Sequence, residues 1–303
     1  MTSPKDPVPV SPADLAALAR EVAESAAQLV RDRRSELFAT TGTRAGGDAV
    51  TAKSTPTDPV TVADTESESL IRELLRERRP DDQVLGEEAG GALDAPDGVR
   101  WVVDPIDGTV NFLYGIPAYA VSVAAQVNGV SVAGAVVDVA RRVTYWASRG
   151  GGAFACRGTR EQPEGEPERL QANPITDLGL ALVATGFAYT ADRRREQGAI
   201  VAELLPRIRD LRRMGAAALD LCMVASGAVD AHFEHGLSPW DWAAGGLIAE
   251  EAGARLVLPP ADSRSADGAV TIAVAPGVAD EFLSALNGIG ATAAIPGAIP
   301  RAE

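Results

Sequence analysis

The chain has 303 residues, 46% of them hydrophobic and 23% charged, so it can hold one large domain or two and build a core without staples. Its net charge of −14 makes phosphate backbones and anionic lipid poor default partners. Two histidines are too few for a histidine-held zinc plus a histidine base, so oxygen ligands are expected for any metal, and the distant Cys156 and Cys222 read as buried thiols in a reducing compartment.

Met1 to Val10 is polar and proline-rich, without the apolar region of a signal peptide, and reads as disordered. No apolar stretch is long enough to span a bilayer, and a cytoplasmic protein is expected. Ser11-Pro12 starts a helix whose Leu15, Leu18, Val22, Leu29 and Val30 share a face. Residues 42–57 are rich in Gly, Thr and Ser and predict a mobile loop. Thr65-Glu66-Ser67-Glu68 has the capping-box pattern, and the helix after it should bury Leu70, Ile71, Leu74 and Leu75 before ending near Pro80.

Short apolar runs follow at Val84-Leu85 and Trp101 to Val103. Residues 119–127, 131–139 and 143–148 predict an antiparallel meander with turns at Asn128-Gly129 and Arg141-Arg142. Residues 157–169 read as a polar hairpin tip or linker, and a domain boundary is placed there, with units 1–155 and 156–303. The second half alternates: strands near 180–184, 229–233, 254–258 and 270–275, and helices near 193–205, 216–227, 240–252 and 277–287. This is an α/β pattern with helices on both faces of a sheet. The tail beyond Gly288 should fray.

Four acidic segments fall at predicted strand ends or helix starts: Asp58 to Asp64, Gly86-Glu87-Glu88, Asp104-Pro105-Ile106-Asp107-Gly108-Thr109, and Trp240-Asp241-Trp242. Taken singly, each is as readily a helix cap or a solvated turn as a ligand set. Together they point to a divalent cation, because clustered carboxylates repel and cost free energy to desolvate, and Mg²⁺ takes hard oxygen ligands. The two tryptophans flanking Asp241 should draw it inward, where an unpaired carboxylate is expensive.

The run Trp101 to Phe112 resembles the first signature of the inositol monophosphatase family, and Trp240 to Gly253 resembles the second. Lys53-Ser54 through Asp64, and Gly86-Glu87-Glu88, stand in the family's order before the first signature. The likeness runs from about Ser11 to the last helix. Gly215 to Cys222 and Phe233 to Gly236 are most similar to the bacterial inositol-1-phosphatase branch.

The resemblance implies an α+β or α/β fold, a layered α-β-α-β-α sandwich shared with fructose-1,6-bisphosphatase. Two to three Mg²⁺ ions are implied, held by Glu87, Asp104, Asp107, Asp241 and the carbonyl of Ile106. Thr109, backed by Asp64, would orient the attacking water, with Glu87 beside it in the catalytic set. Gly108 and Thr109 N–H groups would bind phosphate. Asp107, Asp241, Glu234 and the Ala217 N–H would meet the substrate, and Lys53 would ride on a mobile loop.

The implied reaction is hydrolysis of myo-inositol 1-phosphate and related phosphate monoesters by a lithium-sensitive homodimer. Related branches take histidinol phosphate, fructose 1,6-bisphosphate or nucleotides. The competing class is a regulatory binding protein on the same scaffold, which the net charge of −14 disfavours as an RNA contact.

Overall fold

The computed structural model describes residues 11–38, 50–52, 59–94, 97–159 and 162–297. The predicted disorder before Ser11, the loop residue Lys53 and Asp58 lie outside that set. Within the predicted 42–57 loop, β1 (Val50–Ala52) forms a strand instead, because it pairs antiparallel with β2 (Pro59–Thr61).

Seven strands form the larger sheet in simple sequence order: β3 (Gln83–Gly86), β4 (Val99–Asp107), β5 (Ala120–Val127), β6 (Val130–Asp138), β7 (Val143–Ser148), β8 (Gly152–Arg157) and β9 (Glu168–Arg169). The predicted meander is its centre. The 155/156 division falls inside β8, and the sheet runs on to Arg169 because β9 pairs with β8. One face is covered by α1 (Pro12–Phe38) and α2 (Val62–Arg78), whose Leu15, Val22, Val30, Ile71 and Leu75 pack on Trp101, Val103 and Val121.

The other face meets α5 (Ala217–Ala225) and α6 (Pro239–Glu251), which form a shared middle layer. Alanine and glycine allow this close packing. A Cβ on Gly134 of β6 would stand 2.9 Å from the Ala244 backbone of α6. Beyond them lies a mixed five-stranded sheet, ordered β11 (Asp210–Arg212), β10 (Leu182–Thr185), β12 (Ala231–His235), β14 (Val270–Val274), β13 (Arg255–Val257). Its outer face carries α4 (Ala191–Leu204) and α7 (Ala279–Gly288). The layers therefore run α-β-α-β-α, as expected.

Two expectations are corrected. The capping box is Thr61 with Asp64, one turn before Thr65-Glu68, so α2 begins at Val62 and Glu68 turns inward; Leu70 and Leu74 are only half-buried. The tail does not fray as far as Gly297. Ala291 and Ile295 are buried, and Ile295 and Gly297 N–H groups donate to the carbonyls of Gly268 and Ala266. Both cysteines are buried and free.

Candidate active site

A cavity of about 480 Å³ opens where the ends of β3, β4 and β12 meet the first turns of α5 and α6. Strand β4 supplies its centre. Two steps along β5, from Ser122 to Ala120, oppose three steps along β4, from Asp104 to Asp107. The extra residue is a bulge, and it matters because residues three apart on a regular strand face opposite ways. With the bulge, Asp104 and Asp107 point into one cavity. The Asp104 carboxylate accepts the Ile106 N–H at 3.0 Å, and Ser67 of α2 donates to the Pro105 carbonyl at 3.2 Å.

Asp241 comes from the first turn of α6, where it accepts the Ser238 N–H at 2.7 Å in a capping box opened by Pro239. Carboxylate oxygens of Asp104, Asp107 and Asp241 lie within 4.8 Å of one another. Burial pushes Asp107 up to about 7, although it accepts Ala217 and Ala218 N–H groups, the latter at 2.7 Å. Burial, then the charges of Glu87 and Asp107, push Asp241 well above the usual carboxylate range. Converging acids held this way fit a hard divalent cation, whose charge would reverse both shifts.

Glu87 lines the same cavity from the turn after β3 but stands outside the group of three. Its turn is clamped by the buried carboxylate of Glu68, which accepts the Glu88 and Ala89 N–H groups at 2.7 and 3.0 Å. Arg72 Nε donates to Glu68 at 2.7 Å. This support was missed in the sequence; its one signal is the Glu68/Arg72 spacing of four on a helix.

Thr109 begins α3 (Thr109–Tyr114) after Gly108, whose φ of 90° and near contacts, 2.9 Å from a built Cβ to the Ala118 carbonyl, leave room for glycine alone. The Thr109 hydroxyl lies 2.9 Å from Asp64 Oδ1 and 3.0 Å from the Ile106 carbonyl. Asp64 Oδ2 accepts both the N–H and the hydroxyl of Thr61. Burial raises Asp64 to about 6 against those bonds.

Across the cavity, Glu234 ends β12 and is raised to about 7 by burial, partly offset by the charge of Arg213. Gly186 makes its place, since a Cβ there would lie 2.1 Å from the carboxylate. Ala217 lines the cavity at the start of α5. Arg213 also lines it and was not singled out from sequence; Arg193 lines it too, buried, and donates to the Ser265 carbonyl at 2.8 Å. Asn111 was likewise missed: its amide donates to Ala118 and Met214 carbonyls at 2.7 and 2.8 Å, tying α3 to the segment before α5.

Five layers with an acid-lined cavity at the strand ends suit a phosphatase of the kind whose clustered acids can hold metal. The inositol monophosphatase family profile matches residues 11–289, and the chain belongs to that family. It is 52% identical over 280 residues to a Mycobacterium leprae protein named inositol-1-monophosphatase, covering 91% of this chain and 94% of that one. The solved structure of Mycobacterium tuberculosis SuhB is similar at TM-score 0.78 and 45% identity, covering 93% of this chain and 99% of that chain. A Pasteurella multocida relative named Nus factor SuhB is 41% identical over 204 residues, 67% of this chain and 72% of that protein. Among the described residues, no helix is long and apolar enough to cross a membrane.

Proposed function

We propose that the protein is a Mg²⁺-dependent phosphatase that hydrolyses myo-inositol 1-phosphate and related polyol monophosphates. The observation that carries this is the convergence of Asp104, Asp107 and Asp241 beside the Thr109–Asp64 pair, with Glu234 on the opposite wall. Asp104, Asp107, Asp241, Glu87 and the Ile106 carbonyl would hold two to three Mg²⁺ ions. When bound, Mg²⁺ supplies positive charge to offset these acids and the phosphate, and acidifies water.

The chain's own groups do the positioning. Asp64, ionised, takes the proton of the Thr109 hydroxyl into a hydrogen bond, which turns an oxygen lone pair toward the cavity to orient water. With a pKa of about 6 in the absence of metal, Asp64 is also able to share a proton through that hydroxyl. Gly108 and Thr109 N–H groups, with the bulge behind them, suit a phosphate oxygen. Glu234, ionised, accepts hydrogen bonds from substrate hydroxyls, which favours a polyol, and the Ala217 N–H adds a donor.

Residues 1–155 would then carry most metal ligands, and 156–303 Asp241 and the hydroxyl contacts, with the site between these two stretches of chain. A homodimer is part of this reading, and sedimentation would test it.

Phosphate release from inositol 1-phosphate, with and without Mg²⁺, is the direct test. Asp104→Asn should abolish turnover and keep the far-UV spectrum. Full activity in chelator would end the proposal. A panel with histidinol phosphate and fructose 1,6-bisphosphate, ranked by kcat/KM, tests the substrate. The name of the Pasteurella relative favours a second role in binding other proteins. A stoichiometric partner retained by the Asp104→Asn protein would support that role.

A further inference from the structure

A second group of ligand-type side chains lies beside the first. Asp220, His232 and Glu234 bring two carboxylates and one imidazole within 4.8 Å of one another. The packing of α5 on β12 creates this juxtaposition. His232 and Glu234 are two apart on a strand and share the face toward α5, while Ala231 and Phe233 pack into the outer core.

Asp220 is 1% exposed and His232 is fully buried. Neither oxygen of the Asp220 carboxylate and neither ring nitrogen of His232 has a hydrogen-bond partner among the described residues. Four orphaned polar atoms on two neighbouring side chains in a protein interior are costly, and such a cluster demands an occupant. His232 Nδ1 lies 3.8 Å from Asp220 Oδ2, too far for a hydrogen bond. Two ligands of one cation at about 2.0–2.2 Å stand roughly 3–4 Å apart, so the separation suits a shared ion. Glu234 opens onto the 480 Å³ cavity, which provides an entry path.

We propose that Asp220, His232 and Glu234 bind a divalent transition cation of the Zn²⁺ class, at a site separate from the all-oxygen centre. Imidazole with carboxylates suits Zn²⁺ and disfavours Mg²⁺. An ion there would occupy Glu234 and compete with substrate hydroxyls, a consequence that rests on the proposed role of Glu234; the binding itself does not.

Zn²⁺ titrated calorimetrically into the full chain, with Mg²⁺ saturating, tests the site. Wild type should bind one equivalent that His232→Gln binds roughly 100-fold or more weakly, since loss of even an outer partner costs up to that much. Asp104→Asn should keep this equivalent, which separates failure of this site from failure of the phosphatase reading. Wild type carrying one equivalent of Cu²⁺ should show imidazole-nitrogen coupling by pulsed EPR, whatever the fate of the variants. The chain's other histidine, His235, is engaged elsewhere, with Nε2 2.9 Å from the Ala291 carbonyl. Equal Zn²⁺ binding by wild type and His232→Gln, or Cu²⁺-loaded wild type without that coupling, overturns the proposal.

Discussion

Asp107→Asn measures what the fold gives up to hold its acids together. Burial, opposed by the Ala218 N–H and reinforced by the charge of Glu87, raises Asp107 from 3.8 to about 7 without metal. That is roughly a thousandfold in proton affinity, about 4 kcal/mol. The folded-state value lies above the unfolded one, so the folded chain holds the proton more tightly. The associated stability is complete below pH 3.8 and is lost as pH rises through about 7. In chelator, wild type should lose most of this stability, about 3 of the 4 kcal/mol, on going from about pH 5 to about pH 8, and Asp107→Asn, which cannot ionise, should not. The amide is a weaker acceptor for the Ala218 N–H, which costs about 1 kcal/mol. The variant should therefore exceed wild type by about 3 kcal/mol at about pH 8 in urea unfolding followed by tryptophan fluorescence. Added Mg²⁺ should then stabilise wild type more than the variant, which keeps the other acids but loses the charge of one ligand. A variant less stable than wild type at the higher pH, or a difference that does not grow with pH, would refute the reasoning.

On the proposed role of the Thr109–Asp64 pair in orienting water, Thr109→Ala and Asp64→Asn should each lower kcat by about 10²-fold or more with KM little changed; Thr109→Ser should recover most of the rate. Gly108→Ala should cost about 2–3 kcal/mol by thermal unfolding, combining the φ of 90° with a Cβ 2.9 Å from the Ala118 carbonyl. Glu68→Gln should weaken Mg²⁺ binding by about 10–100-fold, read by calorimetry, because the Glu87 turn loses its ionised clamp.

The strand that carries Asp104 and Asp107 was legible because Trp101-Val102-Val103 is an unbroken apolar run ending in Asp-Pro. The meander was legible because its strands are long and its turns carry Asn128-Gly129. What joins the parts was not. The bulge in β4 has one mark in the sequence, Pro105, which has no N–H for the ladder of an interior strand, but only pairing with β5 exposes the extra residue. The capping box was displaced by one turn because Thr65-x-x-Glu68 fits the local pattern, whereas Asp64 caps with Thr61 and reaches Thr109, a contact 45 residues away. Glu68, freed of the cap, instead holds the Glu87 turn. Strands of two or three residues, such as β9 and β11, carry too few positions for alternation to be read. The tail misled because alanine, proline and isoleucine suggest fraying, while Gly268 lets the Ile295 backbone come close enough to exclude any side chain.

The arrangement explains how a chain of net charge −14 can serve a dianionic substrate. Each acid is set by an element that the rest of the fold makes rigid: Asp104 and Asp107 by a bulge in an interior strand, Asp241 by a capped helix, Glu87 by a clamped turn. Their backbones are fixed close together, and Asp104 and Asp241 are further held by the Ile106 and Ser238 N–H groups. Repulsion among them is therefore built into the folded state and rises as they ionise, and the cheapest relief is a cation. The field at the cavity then changes sign only when the cation is present. Substrate affinity should accordingly depend on divalent metal far more steeply than the buried area of so small a ligand would suggest.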